Sequence, residues 1–538
     1  MMKKFLFFNC SPNLLIIATV IFIIVTGNST FFEHVNSVYP WQDNQGFIIA
    51  LTLVVMSVLT IIVSFFSIII PVRIVLSSLL LLSAMAGYYT DSFGTIIDNV
   101  MIQNIAETTI DEASDLLSFE YLLTVFLLAV VPITCLFLVN IVKPSWRRNC
   151  WLQISNTIMA LGVITVSLYI FSAQFTNFFR EHKPLRFYLN PIYPMYSTGF
   201  FLKDQLKSQE NSEFLVVVNS VNDIDEESHK KLYIVIVGET LHAGNLSLNG
   251  YKRETTPLLA QRDDLISFDE FYACGTSTAI SVPCMFSFDS RELFDNNRAR
   301  RTQNVLDVIA KAGVSVLWRD NNSSSKGVAD RVEYQNFKSP ERNSVCDIEC
   351  RDIGMLEGLQ EYVDEQEGSV LIVLHQMGNH GPAYYKRYPK NFEKFTPACQ
   401  TSELSTCETS EIVNAYDNAI LYTDYFINET IKLLEDNNTN FETAMIYIGD
   451  HGESLGENGL YLHGMPYILA PEEQTHVPLI AWFGSSSHVD IASTVKQSKK
   501  ENSHDAFSFS LLHALNISTD MSLPEEAPSP LFVMQEEE

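Results

Sequence analysis

Basic side chains are scarce in this chain. Of 538 residues only 35 are Lys or Arg, against 63 Asp and Glu, for a formal net charge of −28. A nucleic-acid-binding domain ordinarily carries a basic patch or stripe, so the balance argues against that class and against a nucleic-acid partner. Anionic lipids stay open, because a metal ion and a few local cations can hold a phosphate on an acidic protein. Lys and Arg are absent from residues 33–46 and 90–120. They precede or follow the neighbouring apolar runs instead, as Lys3, Lys4, Arg73, Lys143, Arg147 and Arg148.

Charge is also nearly missing from five runs, 14–32, 47–69, 74–89, 121–141 and 154–171. A bilayer crossing needs roughly 20 apolar residues, so these are candidate spans, the third being short. The first lacks a small-residue cleavage site and more spans follow it, which sets it apart from a secretory leader. Basic loops face the cytoplasm. With an odd number of spans, everything after the fifth then lies outside. Residues 1–174 read as a transmembrane domain, 175–230 as a membrane-interface connector mixing aromatics with cations, 231–520 as a soluble domain and 521–538 as a disordered acidic tail.

Cysteines number nine. Cys10, Cys135 and Cys150 lie in or beside the apolar runs and read as free thiols. The other six form close pairs, Cys274/Cys284, Cys346/Cys350 and Cys399/Cys407. No His is suitably spaced among them for a zinc cluster, and even numbers in an exported domain suggest disulfides.

In the soluble domain, apolar strands at 232–237, 314–318, 370–374, 445–448 and 477–482 alternate with helices such as 302–312 and 411–435. This pattern implies a mostly parallel sheet with helices on both faces. Two strands run directly into polar loops, Gly238-Glu239-Thr240 and Gly449-Asp450-His451-Gly452-Glu453-Ser454. Ligand sites in open α/β sheets sit at the carboxyl ends of strands. Glu239, Asp450 and His451 can therefore converge, and two carboxylates with one imidazole suit Zn²⁺ with one position open. Such an ion activates a hydroxyl nucleophile and neutralises phosphate charge. A hydroxyl-rich turn, Cys274-Gly275-Thr276-Ser277-Thr278-Ala279-Ile280-Ser281, offers Thr276, Ser277, Thr278 and Ser281 as nucleophiles. Residue chemistry alone does not choose among them, and helix capping by Ser or Thr would look the same.

The set Gly238-Glu239-Thr240, Asn249-Gly250-Tyr251, Cys274-Gly275-Thr276-Ser277-Thr278, His375-Gln376-Met377-Gly378-Asn379-His380-Gly381-Pro382 and 449–464 closely resembles the phosphoethanolamine transferases that modify lipid A, a group that includes the mobile colistin-resistance enzymes. The resemblance covers nearly the whole chain. It implies five spans in a bacterial inner membrane, then a periplasmic sulfatase- or alkaline-phosphatase-like domain. It implies phosphatidylethanolamine as donor, a lipid A phosphate as acceptor, membrane lipids as surroundings and polymyxin resistance as the outcome. It makes Thr278 the nucleophile and fourth ligand of a tightly bound zinc beside Glu239, Asp450 and His451. His380 and His463 match two histidines that contact phosphate, move protons or hold a second zinc. Ser323 and Lys326 match substrate-phosphate contacts. Asn104, Thr108 and Glu112 recur every four residues, as on one helical face, and match residues that hold the ethanolamine lipid. Where some chromosomal relatives carry cysteines flanking the lysine, this chain has Ser325 and Ala329. A membrane-tethered phosphodiesterase, transfer to core sugars, a phosphoglycerol transferase and a non-enzymatic sensor are the alternatives.

Overall fold

The computed structural model describes residues 9–141, 144–210, 213–221, 230–521 and 528–535. The chain forms two compact units, residues 1–102 with 117–201, and residues 103–116 with 202–538. The stretch 175–230 is thus shared between them.

The first unit is helical. Helices α1 (Pro12–Thr26) and α2 (Ser29–Val38) are bent by 65° at their junction. The run 14–32, expected as a span, bends there, where its polar residues have partners: Asn28 Nδ2 donates to Asn190 O at 2.8 Å, and Asn190 Nδ2 to Gly27 O at 2.9 Å. A Cβ at Gly27 would lie 2.6 Å from Ser83 Oγ, so a larger residue there would have to push the Ser83 hydroxyl aside. Then come α3 (Trp41–Ser67) and α4 (Val72–Phe93). Next are α5 (Asn99–Glu107) and α6 (Ile110–Leu116), whose residues 103–116 belong to the second unit. The spans α7 (Phe119–Leu138) and α8 (Trp146–Ile170) follow. Among the described residues four helices are long and apolar enough to cross a membrane, five if the bent pair counts as one span.

The second unit is built on a seven-stranded sheet. Its strands are β1 (Lys231–Gly238), β2 (Leu265–Ser267), β3 (Ser315–Asp320), β4 (Glu333–Asn336), β5 (Val370–His375), β6 (Glu442–Gly449) and β7 (Leu479–Phe483). The spatial order is β2-β7-β6-β1-β5-β3-β4. Only β7 runs against the others, pairing antiparallel with β6 and β2. Every residue of β1, β5 and β6 is buried, which is why these strands read as unbroken apolar runs. The short edge strands β2 and β4 escape a sequence reading because neither run is apolar throughout. The expected helix 302–312 is shorter, Val305–Lys311, because Asn304 caps it by accepting from Leu306 N and Asp307 N.

Within the expected tail 521–538, residues 531–533 are packed against the domain. Leu531 and Phe532 are fully buried in the core, and Val533 N donates to Thr494 Oγ1 at 3.0 Å. The Leu-Phe-Val-Met cluster supplies apolar area that the surrounding Pro and Glu mask in a composition average. Residues 522–527 and 536–538 lie outside the described residues.

One carboxylate away from the candidate site makes stability pH-dependent. Asp424, on α9 (Thr409–Asn437), accepts from Leu258 N and Leu259 N, both at 2.9 Å. Burial nevertheless pushes its carboxyl up to about 6. The folded state thus keeps a proton that the unfolded chain has lost between about pH 4 and 6. Unfolding free energy falls by up to about 3 kcal/mol as pH rises through that window. The stability difference between wild type and Asp424→Asn should therefore grow in favour of wild type from pH 7 down to pH 4. Denaturant unfolding of the detergent-solubilised chain checks this, and a pH-independent difference counts against it.

Candidate active site

Strands β1 and β6 lie side by side, with Gly238 opposite Gly449. A Cβ at Gly238 would sit 2.0 Å from Tyr447 Oη, so glycine is needed for the two chain exits to lie at one level. Glu239 leaves β1 and Asp450 with His451 leaves β6 at that level. Thr240 takes a left-handed φ of 56°, unusual for a β-branched residue. In that conformation its N–H donates to Asp450 Oδ1 at 3.0 Å and its Oγ1 to Glu239 Oε1 at 2.9 Å.

The ligand atoms of Glu239, Asp450 and His451 lie within 4.8 Å of one another, and all three side chains are fully buried. His451 Nδ1 faces Gly452 O at 3.0 Å. Nε2 points inward, 3.5 Å from Glu239 Oε1 and 3.4 Å from Asp450 Oδ2. Asp450 Oδ2 is buried with no hydrogen-bond partner. Burial and the Glu239 charge push the Asp450 carboxyl well above its usual range. Burial, with nearby His463, lowers the His451 imidazole to about 3, keeping it neutral. An orphaned carboxylate oxygen, a second carboxylate that repels it and an inward lone pair on neutral imidazole together fit a divalent cation.

The hydroxyl-rich turn meets this cluster through one residue. The Cys274–Cys284 disulfide brackets it. Cys346–Cys350 and Cys399–Cys407 are also bonded, and Cys10, Cys135 and Cys150 are free. Thr276 Oγ1 donates to Met465 O at 2.7 Å, and Ser281 Oγ to Gly275 O at 3.0 Å. Ser277 Oγ is buried without a partner. Thr278, the first residue of the helix Thr278–Met285, places Oγ1 3.1 Å from Glu239 Oε2 and 3.3 Å from His451 Nε2. Tertiary contact thus separates four hydroxyls that sequence leaves equivalent.

Two further histidines flank the cluster. The His463 ring is 4.4 Å from that of His451 and 5.6 Å from that of His380. Burial opposes a charge on His463, but Glu453, whose Oε2 is 2.7 Å from Nδ1, raises its pKa above the ordinary value. Tyr384 Oη donates to the other Glu453 oxygen at 2.6 Å, fixing that carboxylate. Burial lowers the His380 imidazole, and its Nδ1 is buried without a partner.

The remaining expected residues are placed differently from one another. Asn322 of the loop after β3 donates from Nδ2 to Glu239 Oε2 at 2.7 Å, and Ser323 follows it. Lys326 is buried with a left-handed φ of 52° and lines a cleft with Pro283, Arg300 and Asn304. Ser325 Oγ accepts from Ala329 N at 3.2 Å, a hydrogen bond at the positions where the resemblance has cysteines. Asn104, Thr108 and Glu112 do not share one helix. Asn104 lies in α5 and Glu112 in α6, with Thr108 between them donating to Asn104 O at 2.6 Å. That side-chain bond to the end of α5 favours a break over a continuous turn.

Supporting residues went unnoticed in the sequence because no local pattern marks them. Asp352 accepts from Met377 N at 2.9 Å and Gly378 N at 3.1 Å, holding the loop that carries His380. Fully buried His504 accepts from Cys274 N at Nδ1 (3.1 Å) and donates from Nε2 to Gly449 O (2.9 Å). It ties the hydroxyl-bearing turn to the strand end that carries Asp450.

A buried Glu-Asp-His cluster at the carboxyl ends of parallel strands, with a helix-terminal hydroxyl pressed into it, defines an alkaline-phosphatase-like transferase or hydrolase, here carrying a helical membrane unit. Residues 231–517 match the Sulfatase family model, and residues 55–206 the model described as Phosphoethanolamine transferase EptA/EptB. The chain is 40% identical over 521 residues to phosphatidylethanolamine transferase Mcr-2 of Escherichia coli, covering 95% of this chain and 96% of the relative. It is 37% identical to phosphoethanolamine transferase EptA of E. coli strain K12 over 471 residues, 86% and 85% of the two chains. The structure of the integral membrane lipooligosaccharide phosphoethanolamine transferase A (EptA) from Neisseria meningitidis superposes with a TM-score of 0.90 at 30% identity, covering 95% and 96%. The chain belongs to the phosphoethanolamine transferase family.

His504→Leu should then lower the kcat of transfer on the order of 100-fold through misplacement of Thr278, with donor KM little changed. His504→Gln, which keeps an acceptor and a donor, should recover much of it. Equal rates for Leu and Gln would show that the bridge has no positioning role.

Proposed function

We propose that this protein moves phosphoethanolamine from phosphatidylethanolamine to a lipid A phosphate, through an ester on Thr278 at a zinc centre, on the periplasmic face of a bacterial inner membrane. The observation that carries this reading is Thr278 Oγ1 lying 3.1 Å from Glu239 Oε2 and 3.3 Å from His451 Nε2. Glu239, Asp450, His451 and Thr278 Oγ1 would hold the zinc, which lowers the pKa of the hydroxyl and offsets phosphate charge. Thr278 Oγ attacks the donor phosphorus, and the bond from phosphorus to the diacylglycerol oxygen breaks. His463, whose imidazole Glu453 holds above its ordinary pKa, gives that oxygen its proton. Lys326, Ser323 and His380 hold phosphate oxygens, and Asn104, Thr108 and Glu112 the ethanolamine end. An oxygen of the lipid A phosphate then attacks the phosphothreonine ester and Thr278 leaves, a ping-pong sequence.

Both substrates are lipids of one leaflet, which accounts for a tethered catalytic unit. The product carries an ammonium over a phosphate, so cationic peptides such as polymyxins bind less well and the host becomes colistin-resistant. Mass spectrometry of lipid A from a Gram-negative host expressing the protein tests the acceptor. The expected result is a phosphoethanolamine adduct on lipid A and a raised polymyxin threshold. An adduct on core sugars would move the acceptor, and donor hydrolysis without an adduct would make the protein a phosphodiesterase.

A further inference from the structure

We propose that Lys338 is the resting occupant of an ammonium subsite centred on Glu112, and that the primary ammonium of an ethanolamine headgroup displaces it; this rests on the donor assignment above. The segment 103–116 contains four acidic residues and no basic one. Its described acids each meet a cation of the same unit. Glu107 pairs with Arg300, and Asp115 with Lys386 and with Arg387 Nη2 at 3.0 Å. Glu112 Oε1 pairs with Lys338 Nζ at 3.4 Å, the longest of these contacts.

The Asp115 contact is an anchor. Arg387 is buried and also pairs with Glu349, and a guanidinium fork does not exchange for a point charge. The Glu112 contact is of another kind. A single ammonium faces one carboxylate oxygen, with Thr109 Oγ1 at 3.3 Å from the same Nζ. The second carboxylate oxygen is held by Thr109 N at 3.2 Å. The Glu112 and Lys338 side chains are only 12% and 19% exposed. In so dry a place losing the cation to water is costly, whereas exchanging it for another primary ammonium keeps the charge pair.

Glu112 also faces the active site. Burial opposes its charge, but His380, Lys338, the Thr109 N–H and Lys326 together keep its carboxyl below the ordinary range. In return Glu112 acts on both His380 and His463. A phosphate among these cations and an ammonium at Glu112 match the two charges of a phosphoethanolamine headgroup.

The test is isothermal titration calorimetry of the zinc-loaded, detergent-solubilised full chain with O-phosphoethanolamine and, separately, inorganic phosphate. Lys338→Gln removes the internal competitor and should tighten phosphoethanolamine binding about fivefold, the worth of one such ion pair, without tightening phosphate. Glu112→Gln should weaken phosphoethanolamine binding, and the double variant should match Glu112→Gln alone. The KM for phosphatidylethanolamine should fall in Lys338→Gln by the same factor. Unchanged or weakened phosphoethanolamine binding in Lys338→Gln overturns the proposal, as does equal tightening of phosphate. Failure of the donor assignment would appear separately, as no diacylglycerol release by wild type.

Discussion

Thr278→Ala should abolish transfer, with kcat reduced on the order of 10⁴-fold or more, the loss typical of deleting a nucleophile. Two of the neighbouring hydroxyls are already engaged. Thr276 is committed to Met465 O and Ser281 to Gly275 O. Moving either oxygen to the cluster would break a buried hydrogen bond. The variant should fold, because Thr278 sits in the first helical turn and the disulfide brackets the segment independently. Thr278→Ser keeps the hydroxyl but frees its rotamer, so it should retain a measurable fraction of the rate. The check is diacylglycerol release from phosphatidylethanolamine in micelles, with intact-protein mass spectrometry after incubation with donor alone. Wild type should gain one phosphoethanolaminyl group and Thr278→Ala none. Substantial turnover by Thr278→Ala would remove Thr278 from the mechanism.

Asp450→Asn should invert the sign of a stability effect. Without a cation, two fully buried carboxylates face each other, and burial with the Glu239 charge drives Asp450 toward its protonated form. The amide relieves that repulsion, so the metal-free variant should be at least as stable as metal-free wild type. With zinc the order reverses. A ligand bound only to the folded state adds about 4 kcal/mol at a thousand times its Kd, and the variant has lost a charged ligand. Chelator should therefore lower the melting temperature of wild type by several degrees and leave Asp450→Asn nearly unmoved. Zinc content by elemental analysis and transfer activity should both collapse in the variant. A chelator-insensitive wild type would contradict the reading of Asp450 Oδ2 as a metal-facing atom.

Much of this architecture was legible in the chain. Four of the five apolar runs became membrane-length helices because a bilayer demands uninterrupted apolar length. The strands at 232–237, 370–374 and 445–448 were plain because a doubly covered parallel strand has no solvent face to encode. Glycine followed by acid at both strand ends marked Glu239 and Asp450 before any contact was known. The bend after Thr26, the two short edge strands and the buried Leu531 and Phe532 were not legible. Each depends on a partner distant in sequence, such as Asn190 for the bend and Thr494 for the tail.

Sequence alone settled composition-level facts: which segments are apolar enough to cross a bilayer, which residues can ligate a cation, and which cysteines lie close enough to pair. These are properties of residues and their near neighbours. Only the tertiary structure decided which of Thr276, Ser277, Thr278 and Ser281 reaches the carboxylates, that His504 joins the turn bearing Thr278 to the strand end bearing Asp450, and that Lys338 rests on Glu112. Those choices rest on distances of a few ångströms between residues tens to hundreds of positions apart, and such distances exist only once the sheet has set the strand ends side by side.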